Sequence, residues 1–341
     1  MTHKHESDFQ TQAVPQAGVT DSTAPAATIR APERDAPQAR SGRPGDLDAW
    51  WDAIDDELSA LPANPEFERQ ALQSTDFATM YRVRMTSVGN YPIAAWLSIP
   101  TGEGPFPVVI ATPGYGSVVT PSHYDMRQRF VTMTIMSRGQ RGADKPYAAA
   151  YPGHLTEGIA SPDTYVFRGV VADLIRAYEV LTALPEVDPD QIGITGNDMA
   201  LLLAARRPGA RAVQMTATFW YRLAELAAST EAYPYEEIND YLRTYPDDRD
   251  AVGRTLAFLD PHYQIGRIAA NVQINRDRES AAGDDAWLAE LATSINSDIT
   301  YYDITHEGQT DHDANDAWLS GQLGVEPSPR LWQTQEIGPW S

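Results

Sequence analysis

The sequence predicts an α/β fold, a mostly parallel central sheet with helices on both faces. Three observations predict it. Short β-branched runs alternate with longer stretches of helical spacing; Pro107-Val108-Val109-Ile110-Ala111 is apolar on both strand faces; and the strand, helix, strand, helix order continues to Tyr302. A strand apolar on both faces belongs inside a covered sheet, because a half-solvated strand alternates.

From Met1 to about Pro44 the chain is rich in Ala, Pro, Gln, Thr and Ser and almost devoid of large apolar residues. Such a composition cannot offset the entropy of ordering, so residues 1–45 are expected to be a disordered tail. His3 and His5 lie in it and are not expected to hold a metal, since ordering a flexible tail opposes binding. The domain is expected over residues 46–341. It opens with an amphipathic helix from Asp48, where Trp50, Trp51, Ile54, Leu58 and Leu61 recur at helical spacing before Pro62.

Strands are expected at Tyr81 to Thr86, Ile93 to Ile99, Pro107 to Ala111, Val131 to Met136, Ile192 to Thr195, Ala212 to Met215, Asn271 to Asn275 and Ile299 to Tyr302. A long helix is expected over Thr164 to Leu181, with Val166, Val170, Leu174, Tyr178 and Leu181 on one stripe, and another around Trp287, Leu288 and Leu291. Residues 221–263, dense in Tyr and acids and helical in pattern, read as an insertion. No internal repeat is evident.

The formal charge is −21, from 47 acidic against 26 basic side chains. That balance opposes binding to nucleic acid or anionic membranes, and the scattered acids read as a solvated surface. No segment approaches the roughly 18 apolar residues of a membrane span. With no cysteine, thiolate nucleophiles, disulfides and metal–thiolate sites are excluded. MTHKHESDFQ lacks the apolar core of a secretory leader, and the default expectation is the cytoplasm.

The chemistry is expected at Gln191-Ile192-Gly193-Ile194-Thr195-Gly196-Asn197-Asp198-Met199-Ala200, a β-branched strand that turns directly into a helix. A nucleophile elbow needs small residues two before and two after the nucleophile, and Gly196 and Ala200 supply them around Asp198. The alternative is turn chemistry, with Asp198 accepting hydrogen bonds from the first turn of the helix as its cap. A glycine-rich loop, Thr112-Pro113-Gly114-Tyr115-Gly116-Ser117, follows a buried strand, and His306 follows the last one. The order nucleophile, acid, histidine is that of the α/β-hydrolase fold.

Several further segments carry a resemblance: Trp51-Asp52, Pro113-Gly114-Tyr115, Arg138-Gly139-Gln140, Thr164-Tyr165 with Arg168-Gly169-Val170, Pro185-Glu186-Val187-Asp188, Glu236-Glu237-Ile238-Asn239-Asp240 and Thr305-His306-Glu307. Over roughly residues 46–324 the chain resembles the acetyl xylan esterase and cephalosporin C deacetylase family of α/β-hydrolases. The family's elbow reads Gly-Gly-Ser-Gln-Gly-Gly, whereas this chain has Gly196-Asn197-Asp198-Met199-Ala200-Leu201, so Asp198 stands where the family has its serine. The resemblance implies a triad acid in the loop after the penultimate strand, either Asp277 or Glu279, with Glu279 nearer the expected offset, and oxyanion donors at the backbone of Tyr115 and Met199. It also implies closed rings of subunits.

An aspartate nucleophile favours displacement at saturated carbon over acyl transfer, because attack on an ester carbonyl would form an anhydride. Haloalkane dehalogenases and epoxide hydrolases of the same fold use an aspartate at this elbow. The leading expectation is therefore a hydrolase of a small molecule, with Asp198 as covalent nucleophile and His306 activating water. The alternatives are a lyase- or cyclase-type enzyme using Asp198 and His306 as acid and base, and an inactive binding protein. Arg138, Phe219, Trp220 and Tyr221 are candidate substrate contacts, although Arg138, like Gln140 and Arg141, reads at least as well as structure. His123, His154, His262 and His312 show no local metal-ligand spacing, so neither metal nor cofactor is expected.

Overall fold

The computed structural model describes residues 42–116, 118–143, 149–280 and 284–328. Residues 1–41, most of the expected tail and with it His3 and His5, lie outside the described residues, as does Ser117. The strands are β1 Glu66–Arg69, β2 Ala78–Ser87, β3 Tyr91–Pro100, β4 Phe106–Ala111, β5 Val131–Met136, β6 Val187–Asn197, β7 Ala212–Ala217, β8 Asn271–Arg276 and β9 Ile299–Asp303. The helices are α1 Leu47–Ser59, α2 Tyr124–Arg129, α3 Val166–Thr182, α4 Met199–Arg206, α5 Leu223–Ser229, α6 Glu236–Thr244, α7 Arg249–Ala257, α8 Asp285–Thr293 and α9 Gly308–Gln322.

One sheet runs in the order β1-β2-β3-β5-β4-β6-β7-β8-β9. The β1–β2, β2–β3 and β3–β5 pairs are antiparallel and the rest parallel. This is the α/β-hydrolase architecture. It explains why β4 is apolar throughout: Val108 and Ile110 join the main core with α1 and α3, while Val109 packs on the other face with Phe130, Leu319 and Leu323. Helix α9 comes so close to β6 that a Cβ on Gly193 would lie 3.0 Å from the Leu319 and Leu323 side chains.

Each expected strand is present, several of them longer than the apolar run that announced it. Edge strand β1 and helix α2 were not foreseen. The β1 side chains are all exposed, and α2 buries only Arg127, so neither leaves an apolar period in the sequence. Between β7 and β8 the chain forms α5, α6 and α7. No helix among the described residues is long and apolar enough to cross a membrane.

A buried ion pair fixes the carboxyl end of β5 to α3. The Arg138 backbone N–H and Nε donate to Asp173 Oδ2 at 2.9 and 3.0 Å, and Nη2 donates to Oδ1 at 2.8 Å. Nη2 also reaches Val88 O, and the guanidinium lies 4.6 Å from the Tyr91 ring centroid. Gly169 makes room: a Cβ there would be 2.2 Å from Arg138 Nη1. Removing one member of such a pair strands the other charge in a poorly solvated place. Asp173→Ala is expected to cost about 3–5 kcal/mol, seen as a lower urea midpoint with the slope unchanged.

Candidate active site

The carboxyl ends of β4, β5 and β6 frame a narrow cleft whose lining includes Tyr115, Arg138, Gln140, His154, Phe167, Asn197, Met199, Phe219 and Trp220. Its wall is aromatic. Tyr115 stacks on Phe219 with centroids 5.7 Å apart, and Phe167 lies against Trp220 at 4.5 Å. The glycine loop is held from behind by Gln140, whose Nε2 donates to Gly114 O at 3.3 Å and Gly116 O at 3.1 Å while Oε1 accepts from Ser137 N–H. The Arg138-Gly139-Gln140 segment therefore builds the site. Arg138 borders the cleft and its guanidinium pairs with Asp173, in keeping with the structural reading of this arginine.

Asp198 is fully buried and turned away from the cleft lining. Its Oδ2 accepts from the backbone N–H groups of Phe219 at 3.0 Å, Trp220 at 2.7 Å and Tyr221 at 2.7 Å. Oδ1, equally buried, has no partner among the described residues. Burial outweighs the three donors and lifts the Asp198 carboxyl to about 7. Its backbone, at φ −64° and ψ −3°, is ordinary helical geometry and not the strained conformation of a nucleophile elbow. Asp198 does not cap α4 either: Asn197 Oδ1 accepts from Met199 N–H at 3.0 Å. That bond occupies one of the two expected oxyanion donors.

The strain lies one residue upstream of Asn197. Gly196 has φ 143°, and a Cβ there would fall 2.0 Å from Thr112 Oγ1. A side chain is excluded on both counts.

His306 and its acid are together but apart from Asp198. His306 Nε2 lies 3.2 Å from Asp277 Oδ1 and 3.9 Å from Glu279 Oε2, with about half of the His306 side chain exposed. Of the two candidate acids, Asp277 is the nearer. His306 has φ 61°, and the turn before it is tied to α9, where Asp311 Oδ1 accepts from Tyr302 Oη, Thr305 N–H and Thr305 Oγ1. Among the described residues no hydrogen bond joins His306 to Asp198. The triad expected from chain order is not assembled in this arrangement, because Asp198 has turned to the backbone after β7.

Phe219 and Trp220 line the cleft as expected, whereas Tyr221 is wholly buried against His262 and lines none of it, a correction. Two residues not singled out for the site belong to it. His154 lies in the cleft wall, where burial lowers its imidazole to about 4 and so keeps it neutral at ordinary pH. Glu237 accepts from Tyr115 Oη at 2.7 and 2.8 Å and from Leu155 N–H at 2.9 Å. Burial raises the Glu237 carboxyl. Glu237 sat in a quoted motif without a role, and nothing local marked His154.

The sequence profile of the acetyl xylan esterase (AXE1) family matches residues 35–279, well over half of the chain. The chain belongs to that family. It thereby falls in the α/β-hydrolase superfamily. Acetyl esterase Axe7A of Xylanibacter ruminicola is 26% identical over 181 residues, 48% of this chain and 41% of that protein, so the chain spans less than half the length of this curated relative. Two solved structures share the fold. Acetyl xylan esterase 1 from Thermoanaerobacterium sp. JW/SL YS485 superposes with a TM-score of 0.72 at 22% identity, covering 82% of this chain and 94% of that one. Acetyl xylan esterase from Paenibacillus sp. R4 gives 0.72 at 21%, covering 84% and 97%.

The raised Asp198 carboxyl makes stability depend on pH. The folded protein holds a proton that the unfolded chain releases near pH 4, so between about pH 4 and 7 ionisation favours unfolding. The contribution is on the order of 4 kcal/mol lost by pH 8. Asp198→Asn keeps an oxygen for the three N–H donors and removes the ionisation. Its melting temperature relative to wild type is expected to rise between pH 4.5 and pH 8, and a difference that is flat with pH would contradict the raised carboxyl.

Proposed function

We propose that this chain hydrolyses a small acylated molecule held in the aromatic cleft, with Asp198 as a proton-transferring carboxyl and not as a covalent nucleophile. The observation that carries this reading is the asymmetry of the carboxyl: Oδ2 is anchored by three N–H groups, Oδ1 has no partner among the described residues, and the group is poised near pH 7. A carboxyl tuned to the working pH suits the removal and return of a proton. In the proposed step the cleft wall between Asn197 and Met199 opens to admit a water beside the buried Oδ1; the water attacks the acyl carbon and its proton passes to Oδ1. The acyl–oxygen bond then breaks and the departing alcohol takes the proton back. The acyl class follows from the family and from the acetyl esters that its relatives' names specify.

The covalent alternative demands more of the same residue. With Oδ2 held by three N–H groups, Oδ1 itself would have to bond the acyl carbon, and the product of that attack is a reactive anhydride. The general-base role asks Oδ1 only to take and return a proton.

A second reading rests on the absence of Asp198 from the cleft lining and on the Asn197 bond to Met199 N–H. It holds that the protein binds an acylated ligand without turning it over.

Hydrolysis of 4-nitrophenyl acetate and of acetylated xylo-oligosaccharides across pH 5–9 separates these readings. The general-base reading expects kcat/KM to rise with an inflection near pH 7. It also expects Asp198→Asn to lose about 10²–10⁴-fold in rate while still binding substrate. In heavy-oxygen water a single turnover should label the released acid and leave the Asp198 peptide unlabelled. Label in that peptide would restore the covalent mechanism. Ligand binding without turnover by the wild type would establish the second reading.

A further inference from the structure

Away from the cleft, the structure brings His312 up to His123 and Asp125, joining three metal-ligating side chains from two distant parts of the sequence. His123 immediately precedes α2, Asp125 is in its first turn, and His312 is in the first turns of α9. His123 Nδ1 lies 2.5 Å from Asp125 Oδ1, and His312 Nε2 lies 3.4 Å from Asp125 Oδ2. One ligand atom from each residue falls within 4.8 Å of the other two, and the two imidazole centroids are 5.8 Å apart.

We propose that His123, Asp125 and His312 form a binding site for a borderline divalent cation of the Zn²⁺ type, clamping α9 to α2. Two imidazoles and a carboxylate are the ligand set that such cations prefer and that Mg²⁺ does not. At metal–ligand distances of about 2.0–2.1 Å, tetrahedral ligands lie about 3.4 Å apart. The His312–Asp125 separation already has that value, and small side-chain rotations bring His123 to it. The carboxylate is mostly buried while both histidines are partly exposed, which leaves a coordination position open to water. His312 Nδ1 has Asp313 Oδ1 3.7 Å away, close to the carboxylate-backed arrangement that orients metal-bound histidines.

A metal-free account also exists. Protonated histidines pair with Asp125, and Arg129 Nη2, 3.9 Å from Asp125 Oδ2, supplies part of the compensating charge. The two accounts differ in which atoms compete. A cation displaces the protons of both histidines, whereas simple ion pairing leaves no role for Zn²⁺. The clamp would act on the segment holding His306, because Asp311, which fixes the turn before His306, is the residue next to His312.

The test is calorimetric titration of the full-length chain with Zn²⁺ at pH 7.5, in a background carrying His3→Ala and His5→Ala so that the N-terminal histidines cannot contribute. One Zn²⁺ per chain is expected, with a raised melting temperature and no competition from excess Mg²⁺. His312→Ala and, separately, His123→Gln should each weaken binding at least tenfold and remove the thermal shift. His123 is exposed enough for its replacement to leave the packing intact, so the outcome does not hinge on how His312→Ala folds. Bound Co²⁺ should show the visible absorption of a four-coordinate nitrogen and oxygen site. Absence of binding in this background, or binding unchanged by both substitutions, would overturn the proposal.

Discussion

The bond that most of the site depends on is the one between Asp198 Oδ2 and the backbone N–H groups of residues 219–221. It joins the carboxyl end of β6 to the segment leaving β7. Phe219 and Trp220, whose rings form the cleft wall, are positioned by their own N–H groups on this carboxylate. The same bond decides which chemistry is open to the residue: an oxygen holding three donors is an anchor, and only its partner oxygen is left for proton transfer. Burial and hydrogen bonding act on the group in opposite directions, and burial wins, which places its titration near neutrality.

Much of the fold was legible because it is written in local periodicity. Val108 and Ile110 on one side of β4 and Val109 on the other announce a covered sheet, and the stripe from Val166 to Leu181 announces α3. Strand β1 and helix α2 bury too little to leave such a trace. Gly196 stood out as a small residue at the strand–helix turn, although what requires it is a tertiary contact, the close approach of Thr112 at the end of the neighbouring strand. The direction of the Asp198 side chain was not legible. It depends on where the backbone of residues 219–221 comes to lie, which is a property of the β6–β7 pairing and of the turn after β7. Likewise His123 and Asp125 are neighbours in sequence, but nothing near them indicates that α9 will bring up His312.

Motif residues that suggested chemistry prove in several cases to be the frame around it. Arg138 is spent on Asp173 within a space that Gly169 keeps open, and Gln140 grips the carbonyls of the glycine loop. Both act on the cleft through its shape. The glycine-loop side of the cleft is thus built by contacts that do not involve residue 198, while the Phe219–Trp220 wall hangs on its carboxylate. Asn197, which meets the first N–H of α4, completes the substitution by taking over the capping role that a turn aspartate would otherwise fill.

The separation of His306 from Asp198 follows from sheet order. Strand β9, which leads to His306, is three positions from β6, roughly 14 Å at the usual spacing between strands. A histidine there reaches an elbow residue only if its loop leans back across β7 and β8. Here the loop is drawn instead towards α9 by Asp311, and His306 meets Asp277, the residue just after the adjacent strand β8. The chain therefore carries two distinct titratable centres at the carboxyl edge of its sheet. One is a solvated histidine–carboxylate pair. The other is a desolvated carboxyl whose environment, more than its partner, sets its proton affinity. Sheet order and Asp311 hold the first in place, and the backbone cage of residues 219–221 holds the second.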